Sequence, residues 1–307
     1  MRRRCCWPPR PLPSPPPPNP PPLSHPRAPR ACRCARRQAH RALATQPRTF
    51  EAAAFDHSGR LLLSDWLGNR IDVLDAPGAT PRTLATVEAP GGLAPMPDGT
   101  VLAGSGIAAP ALLAPAHGFA RLMRLDPDNG TLTEYASGLS MGNGVVRAPD
   151  GADYTSNDLV PALDRVDPDG TVHRGWYRET TANGLAVSPD GKTLYANVSL
   201  GDTRILAIDI ESGEARTHYR PPAGYQNAFR DDLDIDAAGR LYAPLYFAGQ
   251  VLRVDTDGTA CTIASGLTLP AGITVGVADS PFAADSVFVT THAGQVVEIP
   301  HAVPAVR

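Results

Sequence analysis

Glu51, Gly91, Asn143, Asn183 and Asp231 share one spacing: each stands eight positions before a glycine that closes a tight turn, at Gly59, Gly99, Gly151, Gly191 and Gly239. Four of the five carry short oxygen-bearing side chains, and two of those are carboxylates. Such a set suits a hard divalent cation, because calcium takes six to eight oxygen ligands from carboxylates, amide carbonyls and water at about 2.3–2.6 Å. His and Cys are missing from the set, which argues against a zinc or copper site built on nitrogen or sulfur. The competing account is that Asn-Gly and Asp-Asp pairs simply begin turns. It applies to Asn143 and Asn183, each followed by glycine, and poorly to Glu51, since Glu is not a turn former.

A repeat is what would bring these residues together. Asn183-Gly-Leu-Ala-Val-Ser-Pro-Asp-Gly191 followed by Lys-Thr-Leu-Tyr-Ala-Asn197 reads as a strand, a Pro-Asp-Gly turn and a second strand. The pattern recurs around Gly59, Gly99, Gly151 and Gly239, with a weaker copy from Gly272 to Asp285. Each unit continues into a third strand, such as Arg70–Asp75, Arg121–Asp126 or Arg204–Asp209, and most into a second turn and a fourth strand. Six units over residues 51–307 give about forty-three residues each, the size of a propeller blade. The expected fold is therefore all-β: a six-bladed β-propeller of four-stranded antiparallel blades. A parallel β-helix would have shorter rungs. The last unit lacks a fourth strand of its own, and residues 43–50 are expected to supply it and close the ring.

In a propeller the innermost strand of each blade runs along the channel, so the five residues form a ring on one face. Each hairpin returns the chain to that face. Asp65, Trp66, Ser105, Asn157, Asp158, Asn197, Tyr246 and His292 are expected to rim it. Asn143, Asn157 and His292 are the candidate substrate contacts. His292 is also a candidate for proton transfer, against the plainer reading of a packing or surface histidine. The insert Ala108–Phe119, with His117, reads as a lid or as a mobile loop.

The first fifty residues differ from the rest. They hold eleven Arg, fourteen Pro, four of the five Cys and no acid. Proline removes donors and fixes φ, so no packed element is expected there. Residues 1–42 are read as a disordered Arg/Pro-rich segment and 43–307 as the propeller domain. The segment has three open readings: a targeting peptide beginning Arg2-Arg3-Arg4, a basic tail, or upstream sequence translated from an early start codon. Of the 28 Lys plus Arg, 11 lie before residue 51, leaving 17 against 31 acids in the body, a net charge of −14. That balance disfavours a nucleic-acid partner. No run of eighteen apolar residues suggests a membrane partner. The body has one cysteine, Cys261, so it carries no internal disulfide framework. A cytoplasmic monomer or small homo-oligomer is expected, with export by an N-terminal signal as the alternative. Asn129-Gly-Thr131 and Asn197-Val-Ser199 match a glycosylation pattern that chance also produces.

The body resembles the regucalcin/gluconolactonase family, the senescence-marker-protein group. The resemblance is carried by Glu51 with Phe55-Asp and Ser64-Asp65, by the Asn183–Tyr195 motif, and by Arg230-Asp-Asp-Leu-Asp-Ile-Asp-Ala-Ala-Gly-Arg-Leu-Tyr242. It implies a single divalent cation held by Glu51, Asn183 and Asp231, with Asp231 also the general base and Asn143 contacting bound water or substrate. The family's Glu-Gly-Pro is Glu51-Ala-Ala here, and the place of an Arg that binds sugar-lactone hydroxyls in some members is Met141. The expectation is a hydrolase of a small-molecule lactone or similar cyclic ester, dependent on Ca2+, with Zn2+ or Mn2+ as alternatives. Asp232 replaces Asp231 as the base if the register shifts by one. Two other readings stay open: a non-catalytic binding or scaffold module with a structural calcium, and a strictosidine-synthase-like enzyme of another reaction type.

Overall fold

Short alternating runs cut by glycine every few residues fold back on themselves as meanders. The computed structural model describes residues 39–108, 113, 117–222 and 230–305. In it these runs form six four-stranded antiparallel sheets. Their innermost strands are Phe50–Phe55, Pro90–Pro95, Val145–Arg147, Leu185–Val187, Asp234–Ile235 and Pro270–Val275. The outermost strands of blades one and four, Arg82–Thr86 and Ala215–Tyr219, are mostly exposed or half-buried. The protein is the six-bladed propeller that the repeat predicts.

The core is distributed between blades. One apolar cluster joins blades three and four through Tyr154, Leu163, Leu185, Leu194 and Ile208. Equivalent clusters join the other neighbours. Between blades six and one, Phe55 meets Phe282 and Phe288 edge-on, with ring centres 5.6 and 5.4 Å away. This geometry suits the aromatic quadrupole.

The ring closes on an N-terminal strand. Arg41–Thr45 pairs antiparallel with Gln295–Ile299, completing blade six. Arg41 Nε donates to Glu298 Oε2 at 2.6 Å across that pairing. The closing strand differs from the expected 43–50. The structure takes it from 41–45, because Phe50 already begins the innermost strand of blade one.

At the far end of the channel the turns are stabilised locally. Gly191 sits at φ 73°, the left-handed region that a side chain resists. Asp56 accepts from the amides of Ser58 and Arg60 at 2.9 Å each and from Arg60 Nε at 2.7 Å. Asp236 repeats the pattern with Ala238, Arg240 and Arg240 Nε at 2.9, 3.0 and 2.6 Å.

Residues 1–38 and most of the Ala108–Phe119 insert lie outside the described residues, so the expectations for a tail and a lid fall there. Among the described residues Cys261 is the one cysteine. Among the described residues no helix is long and apolar enough to cross a membrane.

Candidate functional site

The innermost strands all start at one face, and their first residues converge there. Glu51, Asn143, Asn183 and Asp231 line a single cavity of about 230 Å³ at the channel mouth, together with Trp66, Ile107, Asp158, Tyr246, Phe247 and His292. All four ring side chains are buried. Four of the ring's five positions therefore open onto one space. The fifth, Gly91, cannot carry a side chain: a Cβ there would overlap the carbonyl oxygen of Gly142.

The glycines after Asn143 and Asn183 explain how the ring is drawn tight. Neither Gly144 nor Gly184 has a positive φ, so neither is a turn glycine. A Cβ on Gly184 would overlap Asp232 C and Leu233 N, and one on Gly144 would overlap the Asn183 carbonyl oxygen. They are present because each blade's opening backbone packs against the next. Gly184 N donates to Asp231 O at 2.9 Å. The Asn183 side chain then reaches its neighbour, donating from Nδ2 to Asp231 Oδ1 at 2.6 Å. The competing turn-residue account of these Asn-Gly pairs does not describe them.

Second-strand residues staple the ring from behind. Ser64 Oγ donates to Gly91 O at 2.6 Å. Ser156 Oγ donates to Asn183 O and itself accepts from Gly144 N at 2.7 Å. Asn197 Nδ2 donates to Asp231 O and Asp232 O at 3.2 and 3.0 Å. Such hydrogen bonds fix backbone position, although Asn197 Oδ1 is itself buried without a hydrogen-bond partner among the described residues.

The predicted rim divides into two groups. Trp66, Asp158, Tyr246 and His292 line the cavity. Asp65, Ser105, Asn157 and Asn197 do not line it. Asp65 accepts from Thr49 N and Gly68 N and pairs with Arg70 at 2.6 Å. Ser105 Oγ donates to Glu88 O at 2.9 Å. Asn157 is fully buried, and its Oδ1 accepts from Leu159 N and Val160 N at 2.9 and 3.0 Å. It therefore serves a turn, and Asp158 beside it is the residue that reaches the cavity. Two lining residues, Ile107 and Phe247, were missed by the polar pattern. Phe247 follows Tyr246 in the blade-five turn equivalent to the one carrying Trp66, which is the signal that could have found it.

A hydrogen-bonded chain crosses three blades at the mouth. Tyr246 Oη lies 2.9 Å from His292 Nδ1, and His292 Nε2 lies 2.6 Å from Glu51 Oε2. With a neutral imidazole, the carboxylate requires a proton on Nε2, so the tyrosine hydroxyl donates to Nδ1. Trp66 flanks the imidazole with ring centres 5.8 Å apart, and its own Nε1 donates to Ile107 O at 2.9 Å.

The cavity is electrostatically one-sided. Its lining contains three carboxylates and no Lys or Arg. Burial, then the charges of Glu51, Asp232 and Asp158, push the Asp231 carboxyl well above its ordinary value, against the opposing Asn183 hydrogen bond. Burial and the Glu51 charge raise Asp158 to about 6, opposed by a hydrogen bond from Asn143. Behind the ring, burial raises Asp232 to about 8, although the amides of Ile273 and Leu233 donate to it. Among the described residues no three His, Cys, Asp or Glu side chains form a ready-made ligand cluster. The donors here are instead carboxylates mixed with amides.

The comparisons with known proteins agree with this architecture. Residues 51–292 match the family described as the SMP-30/gluconolactonase/LRE-like region. Among solved structures the chain is similar to a gluconolactonase from Xanthomonas campestris, 22% identical with a TM-score of 0.68, covering 85% of this chain and 89% of that one. It is also similar to a calcium-binding protein, regucalcin, from Agrobacterium tumefaciens, 19% identical with a TM-score of 0.68, covering 85% of this chain and 93% of that one. No curated protein matches the sequence. At such identities the likenesses to solved structures establish the fold, and the match over most of the propeller establishes the kinship: the chain belongs to the SMP-30/gluconolactonase/LRE-like family.

Proposed function

We propose that the protein is a metal-dependent hydrolase of a lactone or similar cyclic ester. The supporting observation is the convergence of Glu51, Asn143, Asn183 and Asp231, from four separate blades, on one cavity. Family membership and the similarity to a gluconolactonase support the reaction class. The similarity to a calcium-binding regucalcin supports a divalent cation.

The donor set fits such a cation. Its carboxylates are buried, face one another and lack a cationic side chain among the lining residues, and this is what raises Asp158 and Asp231. Oxygen donors without thiolate point to calcium before zinc, with manganese as a further candidate. Glu51, Asn183 and Asp231 would hold it, and when bound it would supply polarisation of the ester carbonyl and neutralisation of the developing oxyanion.

The chain's own residues do the rest. The Asp231 carboxylate takes a proton from water as the water oxygen adds to the carbonyl carbon. The ring C–O bond then breaks, and the departing alkoxide recovers that proton to leave as a hydroxyl. Asn183 Nδ2 fixes Oδ1 of Asp231, while Oδ2 accepts no hydrogen bond among the described residues. Asn143 holds Asp158 and faces the same space, where it would contact water or substrate. His292 fixes one oxygen of Glu51 and turns the carboxylate toward the cavity.

The test is a panel of lactones assayed with calcium, manganese or zinc and with EDTA. Turnover should require metal and should disappear in Asp231→Asn while the protein stays folded. Metal that raises thermal stability without turnover on any lactone would instead make this a non-catalytic binding module.

A further inference from the structure

The two faces of the disc differ in what they expose. Outside the blade-two insert, six large apolar side chains stand exposed among the described residues: Leu67, Leu159, Leu200, Phe247, Leu269 and Val277. The first four lie in turns between the second and third strands of their blades, and Leu269 lies in the link into blade six. Those turns and links all return to the mouth face, so only Val277 stands on the other. Isolated exposed leucines need no explanation, but a set gathered on one face around an open cavity does.

The set meets the cavity at Phe247, and Leu67 and Leu159 follow the lining residues Trp66 and Asp158 in sequence. Phe247 itself lines the cavity while remaining 69% exposed, so one ring spans interior and surface. Deeper in, fully buried Met141 packs with Ile107 and Trp66 as a small apolar cluster. The mouth thus carries, beside its acids and amides, an apolar cluster of Met141, Ile107 and Trp66.

We infer that the substrate carries an apolar substituent. Its ester group meets the acids and amides, and the substituent lies along Ile107, Trp66 and Phe247 and out toward Leu67. This rests on the hydrolase reading above and narrows it to lactones or cyclic esters with an alkyl arm. Burial of such an arm is worth about 0.8 kcal/mol per methylene, or about fourfold in affinity, until the wall ends.

The experiment is a series of γ-lactones with side chains from methyl to octyl, with glucono-δ-lactone as the polar member. Assays use calcium and stay below the concentration at which the longer members aggregate. Binding of matched γ-lactams, which resist hydrolysis, is measured by calorimetry. We expect kcat/KM and lactam affinity to climb together by about threefold to fourfold per methylene over the first several carbons. Phe247→Ser should flatten both curves, and Val277→Ser on the opposite face should leave them unchanged. A flat series, or preference for glucono-δ-lactone, overturns the inference and leaves the hydrolase reading standing. If no lactone is turned over, the hydrolase reading falls, and the lactam series still decides: affinity independent of chain length overturns the apolar arm.

Discussion

Two pairs of acids on two strands show how differently the ends of this propeller are built. Glu51 and Asp56 bracket the innermost strand of blade one, and Asp231 and Asp236 occupy the same places in blade five. At the turn end, Asp56 and Asp236 are each held by two backbone amides and by the arginine four residues on. At the mouth end, Glu51 and Asp231 line a cavity with Asp158 and no Lys or Arg. The turn acids have local partners and hold the hairpins. The mouth acids have partners from other blades: Asn183 donates to Asp231, and His292 to Glu51. Acids at the two ends of one strand thus serve the scaffold at one end and, in the proposed function, the chemistry at the other.

Substitutions in matched pairs can break this contrast. The largest effect is expected from exchanging a carboxylate for its amide. Asp231→Asn should lower kcat by on the order of 10³ on any accepted lactone, within the range of general-base catalysis. Asp236→Asn should keep turnover and show its effect in the melting temperature. Equal loss in both would erase the division of labour.

Next come the glycines. Gly184→Ala places a methyl into the backbone of Asp232 and Leu233 and should destabilise by about 3 kcal/mol with loss of the site, as overpacking does. Gly191→Ala meets the strain of its left-handed φ and a close contact with the Pro149 ring, 3.0 Å from Cγ, and should cost about 2 kcal/mol with activity retained. Denaturant midpoints of the two variants measure the difference.

A smaller effect is expected from the histidines. His292→Gln loosens Glu51 and should weaken calcium binding by about 10- to 100-fold by calorimetry, as loss of a residue supporting a ligand does. His57, which bonds to Gly99 O at 3.1 Å on the turn face, should be replaceable by Gln without change.

The smallest effect is a pH dependence. Asp158 titrates at about 6 in the fold because of burial and the Glu51 charge, above its ordinary 3.8. Between those values the folded protein binds more protons than the unfolded chain, so in EDTA stability falls as pH rises through that interval and stays lower above it. In the proposed function a bound calcium would relieve the repulsion. Its effect on the melting temperature should be small near pH 4.5 and largest above pH 7, on the order of 2–4 °C for each kcal/mol. A calcium effect independent of pH would separate the cation from these carboxylates.

The amino-acid sequence by itself determined the blades, their number, and the register that picks out Glu51, Asn143, Asn183 and Asp231. All of these rest on local causes: alternation along a strand, and turn glycines such as Gly191 at fixed spacing. It did not determine which rim residues face the cavity. Adjacent side chains in this region point in different directions, so Asp158 reaches the space while Asn157 caps a turn. Nor did it reveal why position 91 is glycine, since the obstacle there is the carbonyl of Gly142 in the next blade. The closing strand moved to Arg41–Thr45 for a similar reason, its register being set by pairing with Gln295–Ile299 at the other end of the chain. The Tyr246–His292–Glu51 chain joins residues up to 241 positions apart. Only closure of the ring brings such groups within hydrogen-bonding distance, and no pattern of local spacing encodes it.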